Sequence, residues 1–241
     1  MEKTPAFIIS LPEDGASFAA TASQLSNTTY EIYRLPALPG SALPDCVCMK
    51  LTRDPHSKFN KGALGCMLSH IRVWEQIAKS NAPYALVLED DAKNIALQNT
   101  SWLRELNFDL IFCNDRMATN TGDKSLAVNN NFIGALKAVD THGHSVGADA
   151  YFLSPKGAAK LIERFAEDLY FGHVDVRMAA YCVNVCKDDA IGNVTAEINQ
   201  IHAIIKSRDP LDAYITGEPL FSHPSRESRR IYQDIAGKAR L

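Results

Sequence analysis

The sequence predicts an α/β domain with a mainly parallel central sheet. Short apolar runs of strand length alternate along it with segments of helical period, the pattern of strands joined by crossover helices. Three of the runs, "YALVL" (84–88), "FDLIFC" (108–113) and "AYFLS" (150–154), are nearly apolar throughout, as in strands covered on both faces.

Each element has its own local reason. "AFIISL" (6–11) reads as the first strand, stopped by Pro12 and an acidic, glycine-containing loop. Residues 16–26 follow as a helix, and "YEIYRL" (30–35) alternates like a second strand before the breaker-rich "PALPGSALP". Leu64, Leu68, Ile71, Trp74 and Ala78 recur at helical spacing and predict a helix over 63–79. Pro155 falls where a first helical turn tolerates it, so a helix opens there and runs to about Phe165. The stretch 114–147, rich in Asn, Gly and Thr, reads as a long functional loop region.

Composition narrows the function classes. A chain of 241 residues with 46% hydrophobic and 22% charged residues builds an ordinary globular core. A formal net charge of −3 argues against a nucleic-acid binder, which normally carries a basic excess. No run approaches the roughly 18 apolar residues of a membrane span, and the first apolar run is too short for a signal peptide. The expectation is a cytoplasmic protein whose cysteines (Cys46, Cys48, Cys66, Cys113, Cys182 and Cys186) are reduced. The close pairs Cys46/Cys48 and Cys182/Cys186 lack zinc-knuckle spacing.

The strand at 84–88 runs directly into Glu89, Asp90 and Asp91. Ligands of open α/β sheets bind beyond the carboxyl ends of strands, and hard carboxylate oxygens there suit Mn²⁺ or Mg²⁺, with a diphosphate supplying further ligands. The simpler alternative is that Asp91 caps a helix through 92–98 while its neighbours are solvated.

The wider segment "GALGCMLSHIRVWEQIAKSNAPYALVLEDDA" resembles the central block of glycosyltransferase family 25, the lipopolysaccharide and lipooligosaccharide biosynthesis glycosyltransferases. The resemblance rests on Gly62, Gly65, Cys66, Ser69, His70, Trp74 and the Glu89–Asp91 acids. "AFIISL", "YEIYRLPALPGSAL", "GADAYFLSPKGAAKLI" and "HVDVRM" are similar to flanking parts of the same family, so the likeness runs from residue 6 to about 178. It implies one GT-A-like, Rossmann-type nucleotide-sugar transferase domain over 1–241. Its nucleotide-sugar half would be 1–113, its acceptor and catalytic half 114–225, and its basic tail 226–241.

The implied reaction moves a sugar, often galactose, from a UDP-sugar to a lipooligosaccharide or related glycan acceptor with inversion. Mn²⁺ or Mg²⁺ would stabilise the departing diphosphate. By this resemblance Asp91 is the direct metal ligand, and Glu89 and Asp90 bind donor hydroxyls or orient the site. Ser10, Leu11, Lys61, Gly65, Ser69 and His70 are placed on the nucleotide-sugar side. Asp175 leads as the base that takes the acceptor proton, with Asp149 next. Each has a plainer alternative: Asp175 capping a helix over 176–185, and Asp149 pairing with a neighbouring cation. His223 is the expected distal metal ligand, against His202 and His173.

One departure stands out. The family commonly carries basic residues after its first strand, whereas "SLPEDGASFAATAS" has none; Arg53, Lys58 and Lys61 offer compensation. Two other readings therefore stay open: a nucleotide-sugar or glycan-binding module without turnover, and a metal-dependent phosphohydrolase.

The tail "SRESRRIYQDIAGKARL" carries Arg226, Arg229, Arg230, Lys238 and Arg240 against Glu227 and Asp234. Such a segment suits peripheral contact with the anionic cytoplasmic face of an inner membrane, where a lipid-linked acceptor resides; a solvated terminal helix is the alternative. Removing residues 226–241 is expected to weaken sedimentation with anionic vesicles while sparing transfer to a soluble acceptor. Unchanged sedimentation rules the membrane role out.

Overall fold

A computed structural model describes residues 3–52, 60–97, 99–117, 126–128, 131–135, 138–139, 146–168, 173–183, 185–186, 193–205 and 209–223. Arg53, Lys58 and the tail 226–241 lie outside them. The chain opens with β1 (Thr4–Ser10), α1 (Gly15–Ser23) and β2 (Tyr30–Pro36). A short 3₁₀ turn leads to α2 (Asp45–Thr52), then α3 (Lys61–Ala78), β3 (Ala85–Glu89) and β4 (Lys93–Asn94). β5 (Leu110–Phe112), β6 (Leu126–Val128), β7 (Asn131–Ala135), β8 (Ala138–Val139) and β9 (Ala150–Leu153) follow. The remainder comprises α4 (Pro155–Asp168), α5 (Val174–Cys182), β10 (Val185–Cys186), α6 (Asn193–Ile204), β11 (Ala213–Thr216) and β12 (Phe221–Ser222).

Eight strands form one sheet in the order β2-β1-β3-β9-β5-β11-β7-β6. β1 pairs in parallel with β2 and β3, and β5 with β11. β9 is antiparallel to both β3 and β5, and β7 to both β11 and β6. Six strands thus share one direction, and β9 and β7 are inserted against it. The expected strands and the 63–79 helix are present with ends shifted by a few residues, the usual uncertainty of frayed termini.

Three sequence expectations are revised. Residues 92–97 do not form the helix expected over 92–98: Lys93 and Asn94 instead pair antiparallel with Ser222 and Phe221. Asp175 lies inside the first turn of α5 rather than before it, because the helix begins at Val174 with His173 at its N-cap. The stretch 114–147 holds strands β6, β7 and β8.

Two apolar layers sandwich the sheet. Leu64, Trp74, Ile77, Leu161 and Phe165 pack α3 and α4 over the face that carries Val87, Leu110 and Tyr151. Ile8, Leu86, Ile111 and Phe152 turn to the other face with Leu25 and Tyr84. Alternation along each strand explains why consecutive apolar residues are all buried. Close approaches need glycine. A Cβ on Gly65 would sit 2.4 Å from the Leu38 carbonyl, and one on Gly157 2.1 Å from the Asp109 carbonyl. The Gly157 approach brings α4 down on Asp109.

The Asp109 side chain is fully buried, and it is held by Lys160 Nζ at 2.5 Å and the Asp212 amide at 2.9 Å. Burial alone would raise the Asp109 carboxyl. The Lys160 hydrogen bond, the Asp212 amide and the charges of Lys160 and Lys156 outweigh it and hold the group below the ordinary carboxylate range. The stability this contributes is present above the unfolded-state value of about 3.9 and is lost as pH falls through the lower folded value. Asp109→Asn is expected to flatten the acid limb of stability against pH, measured by urea unfolding at several pH values. An unchanged acid limb rejects this role for the pair.

Candidate active site at the carboxyl edge of the sheet

The carboxyl edge is where the chain concentrates its acids. β3 ends on Glu89, and a turn closed by the Ala92 amide on the Glu89 carbonyl presents Asp90 and Asp91. α1 steadies that turn: the Thr21 hydroxyl donates to the Asp90 carbonyl at 2.8 Å, and Gln24 reaches the Ala92 carbonyl and the Asn94 amide. Because β9 is antiparallel, its first residues meet the same edge, and the Glu89 amide donates to the Asp149 carbonyl at 2.9 Å. β5 delivers Asn114, Asp115 and Arg116 there. The Asn114 side chain fastens this segment by donating to the Gly147 and Ala150 carbonyls.

His223 arrives through pairing that is local only in space. β12 lies against β4 with Ser222 opposite Lys93, so the next residue falls beside Asp91. His223 Nε2 is 3.1 Å from Asp91 Oδ2, and its amide donates to Asp115 Oδ1. The Asp91 hydrogen bond raises the His223 pKa above the ordinary histidine value, with burial and Arg116 opposing. Asp91 Oδ1 is buried with no hydrogen-bond partner among the described residues. Hard oxygen and imidazole donors so arranged fit Mn²⁺ or Mg²⁺. His202 instead donates to the Ala180 carbonyl, and His173 precedes α5.

Arg116 holds the centre of the edge. Its guanidinium hydrogen-bonds Asp149 Oδ1 through both Nη2 and Nε. Burial works against its charge, yet Asp149 first, then Asp175 and Glu89, raise its pKa. Asp149 is fully buried, and burial pushes its carboxyl upward, with Glu89 adding and Arg116 opposing. Its plainer alternative is therefore the observed one: it pairs with a cation. Asp175 is also buried, and its Oδ1 accepts from the Val176 amide at 3.0 Å. Gly147 leaves room for the ion pair, since a Cβ there would lie 2.3 Å from Arg116 Nε.

The signature helix acts from beneath. Trp74 Nε1 donates to the Tyr151 hydroxyl at 2.8 Å; that hydroxyl meets His70 Nδ1 at 2.8 Å, and His70 Nε2 lies 3.2 Å from Glu89 Oε1. A carboxylate accepts, so the proton between His70 and Glu89 sits on Nε2, and with Nδ1 unprotonated the Tyr151 hydroxyl donates to it while accepting from the Trp74 indole. Ser69 and His70 have no exposed surface. Ser69 donates to the Gly65 carbonyl and accepts from the Leu38 amide, which fastens α3 to the loop after β2. Lys61 is taken by Asp45 at 2.6 Å and the Leu43 carbonyl. Ser10 is the last residue of β1 and Leu11 follows it, and the cation beside them is Arg34 of β2, which donates to the Leu11 and Pro12 carbonyls. Sequence reading missed Arg116, Tyr151 and Arg34; only the position of "NDR" after a strand pointed to the first.

The acids, an arginine and a histidine thus gather at the carboxyl edge of an open α/β sheet, the place where proteins of that class bind their ligands. Residues 3–178 match Glycosyltransferase family 25 (LPS biosynthesis protein), and the chain belongs to that family. Among curated relatives, "Inactive glycosyltransferase 25 family member 3" of Mus musculus is 27% identical over 173 residues, covering 65% of this chain and 28% of the relative. "Glycosyltransferase 25 family member" of Aedes aegypti is 27% identical, covering 60% and 22%. The chain thus spans under a third of these relatives. Solved structures of similar shape include a glycosyltransferase involved in glycosylation of the major capsid of PBCV-1 (TM-score 0.42, 11% identity, covering 98% of this chain and 99% of that one). Apo GlyE of Streptococcus pneumoniae TIGR4 gives a TM-score of 0.38 at 11% identity, covering 88% and 45%.

Replacing Arg116 by Met strands the buried Asp149 charge and is expected to cost about 3–5 kcal/mol in denaturant unfolding. Adding Asp149→Asn should restore a large part of the loss. Additive losses in the double variant reject the coupling.

Proposed function

We propose that the chain is an inverting glycosyltransferase. It would move a sugar, galactose from UDP-galactose first among donors, onto a lipopolysaccharide, lipooligosaccharide or related glycan acceptor. The observation that carries this reading is Asp91, whose buried, unpartnered Oδ1 stands beside His223 at the end of β3 in a chain of this family. Asp91 and His223 would hold Mn²⁺ or Mg²⁺, which when bound stabilises negative charge on the leaving diphosphate. Glu89 is oriented by His70 and lies partly open, and with Asp90 it suits the donor's hydroxyl groups. Asp149 is committed to Arg116, which favours Asp175 as the acceptor base. No helix among the described residues is long and apolar enough to cross a membrane.

A second reading is a nucleotide-sugar or glycan-binding module without turnover. Its support is that the mouse relative is named inactive.

The paired test uses Asp91→Asn and Asp175→Asn. In wild type, UDP with Mn²⁺ should raise thermal stability, by about 2.7 kcal/mol at 100 times its Kd, with GDP and CMP far weaker. Asp91→Asn should lose both calorimetric UDP–Mn²⁺ binding and transfer from labelled UDP-galactose. Asp175→Asn should keep the binding and lose about 10²–10⁴-fold in turnover. Binding without transfer in wild type selects the module; equal stabilisation by all nucleotides rejects the donor.

A further inference from the structure

A second set of ligating atoms at this edge excludes both Asp91 and His223. Cys66 Sγ, a ring nitrogen of His70 and a carboxylate oxygen of Glu89 all lie within 4.8 Å of one another. Two of the spacings are 3.8 Å (Sγ to Oε1) and 3.2 Å (Nε2 to Oε1). Around tetrahedral Zn²⁺, with Zn–S of about 2.3 Å and Zn–N or Zn–O of about 2.0–2.2 Å, neighbouring ligand atoms stand roughly 3.3–3.6 Å apart. Two of the three spacings therefore lie within a few tenths of an ångström of that range, and the third is no greater than 4.8 Å.

The elements explain the arrangement. Cys66 and His70 are four residues apart on α3 and share a face, and Glu89 is the last residue of the β3 ladder. The second nitrogen of His70 faces the Tyr151 hydroxyl, itself held by Trp74, and once Nδ1 carries the ring proton it can donate there, as a metal-ligating histidine does to its outer partner. His70 is fully buried, whereas the Glu89 side chain is 20% exposed and Cys66 is half-buried, so solvent reaches the cluster from one side. A thiolate, an imidazole and one carboxylate select a borderline-soft ion over Mn²⁺ or Mg²⁺.

We propose that Cys66, His70 and Glu89 form a Zn²⁺ site distinct from the Asp91–His223 pair, with water in the fourth position. On binding, Cys66 releases its thiol proton to solvent. The His70 ring proton moves from Nε2 to Nδ1 by exchange with solvent and is donated to the Tyr151 oxygen. One thiolate and one carboxylate then balance the two charges of the ion. An ion here takes Glu89 away from the donor, so Zn²⁺ inhibits transfer; that consequence, unlike the binding itself, rests on the proposed glycosyltransferase function.

The test uses the full chain, reduced and without nucleotide sugar. Zn²⁺ affinity is read by competition with a chromophoric chelator, and Co²⁺ serves as a spectroscopic stand-in for tetrahedral geometry and a thiolate ligand. Wild type should take up one Zn²⁺ per chain and show a thiolate-to-Co²⁺ charge-transfer band. Cys66→Ser should abolish the band, and it and the near-isosteric Glu89→Gln should each weaken Zn²⁺ binding by more than about tenfold, at least the loss an outer-support change produces. Asp91→Asn should leave Zn²⁺ affinity unchanged. No stoichiometric uptake, or uptake that persists in Cys66→Ser through the other cysteines, overturns the site. Since no donor is present, uptake by a chain that transfers no sugar still upholds it, and transfer without uptake overturns it alone.

Discussion

The ion pair between Arg116 and Asp149 is the interaction on which the rest of the sheet edge depends. Asp149 is fully buried, and an isolated carboxylate in such a place either protonates or destabilises the fold by several kcal/mol. A cation must therefore come to it, and among the described residues the segment following β5 delivers Arg116. Neighbouring features answer to that requirement. Gly147 is small because the guanidinium occupies the volume of its missing side chain, and Asn114 spends its amide on the Gly147 and Ala150 carbonyls to fix the approach. Asp175 and Glu89 stand close enough to support the same positive charge. The edge holds a cluster of carboxylates without mutual repulsion prevailing because one arginine is placed among them.

A second chain of contacts aims the acid that remains partly open. Trp74, Tyr151, His70 and Glu89 form a directional run of hydrogen bonds from the core of α3 to the end of β3. The four-residue spacing of Cys66, His70 and Trp74 puts all three on the helix face that meets β9 and β3, so one helical stripe serves packing and orientation together. Burial raises the Tyr151 phenol well above its ordinary value, which keeps it a neutral relay between two rings. The orientation of Glu89 is thus set by three fully buried side chains.

Periodicity made the scaffold readable in advance. Strands β1, β2, β3 and β9 and helices α3 and α4 follow from apolar runs and a helical stripe, since their burial is what the pattern records. The direction of β9 was not readable, because a strand covered on both faces is equally apolar whichever way it runs. The two-residue strands β4 and β12 have no pattern of their own; they exist because the chain returns to pair there, and that return carries His223 to Asp91. Of the candidate site, the acids at 89–91 and His70 stood out as chemistry in a family-like block, whereas His223 was singled out beyond it. Arg116 was not, because a single arginine in a polar segment carries no period and its partner is 33 positions away.

Arg34 shows how a missing motif residue differs from missing chemistry. The loop after β1 has no lysine or arginine, which in sequence reads as an absent positive charge. Parallel pairing puts Arg34 of β2 opposite Ile8, two residues before β1 ends. From there its guanidinium reaches forward to the Ser10 hydroxyl and the Leu11 and Pro12 carbonyls, with its face over the Phe18 ring. The charge is supplied across the sheet instead of along the chain. Strand neighbours lie roughly 4.7–4.9 Å apart, so a long side chain on one strand spans the loop of the next. Motif spacing counts positions along a single strand and is blind to such a donor. A change of Arg34 would thus act first on the shape of the loop after β1, through three lost hydrogen bonds, and on its charge at the same time.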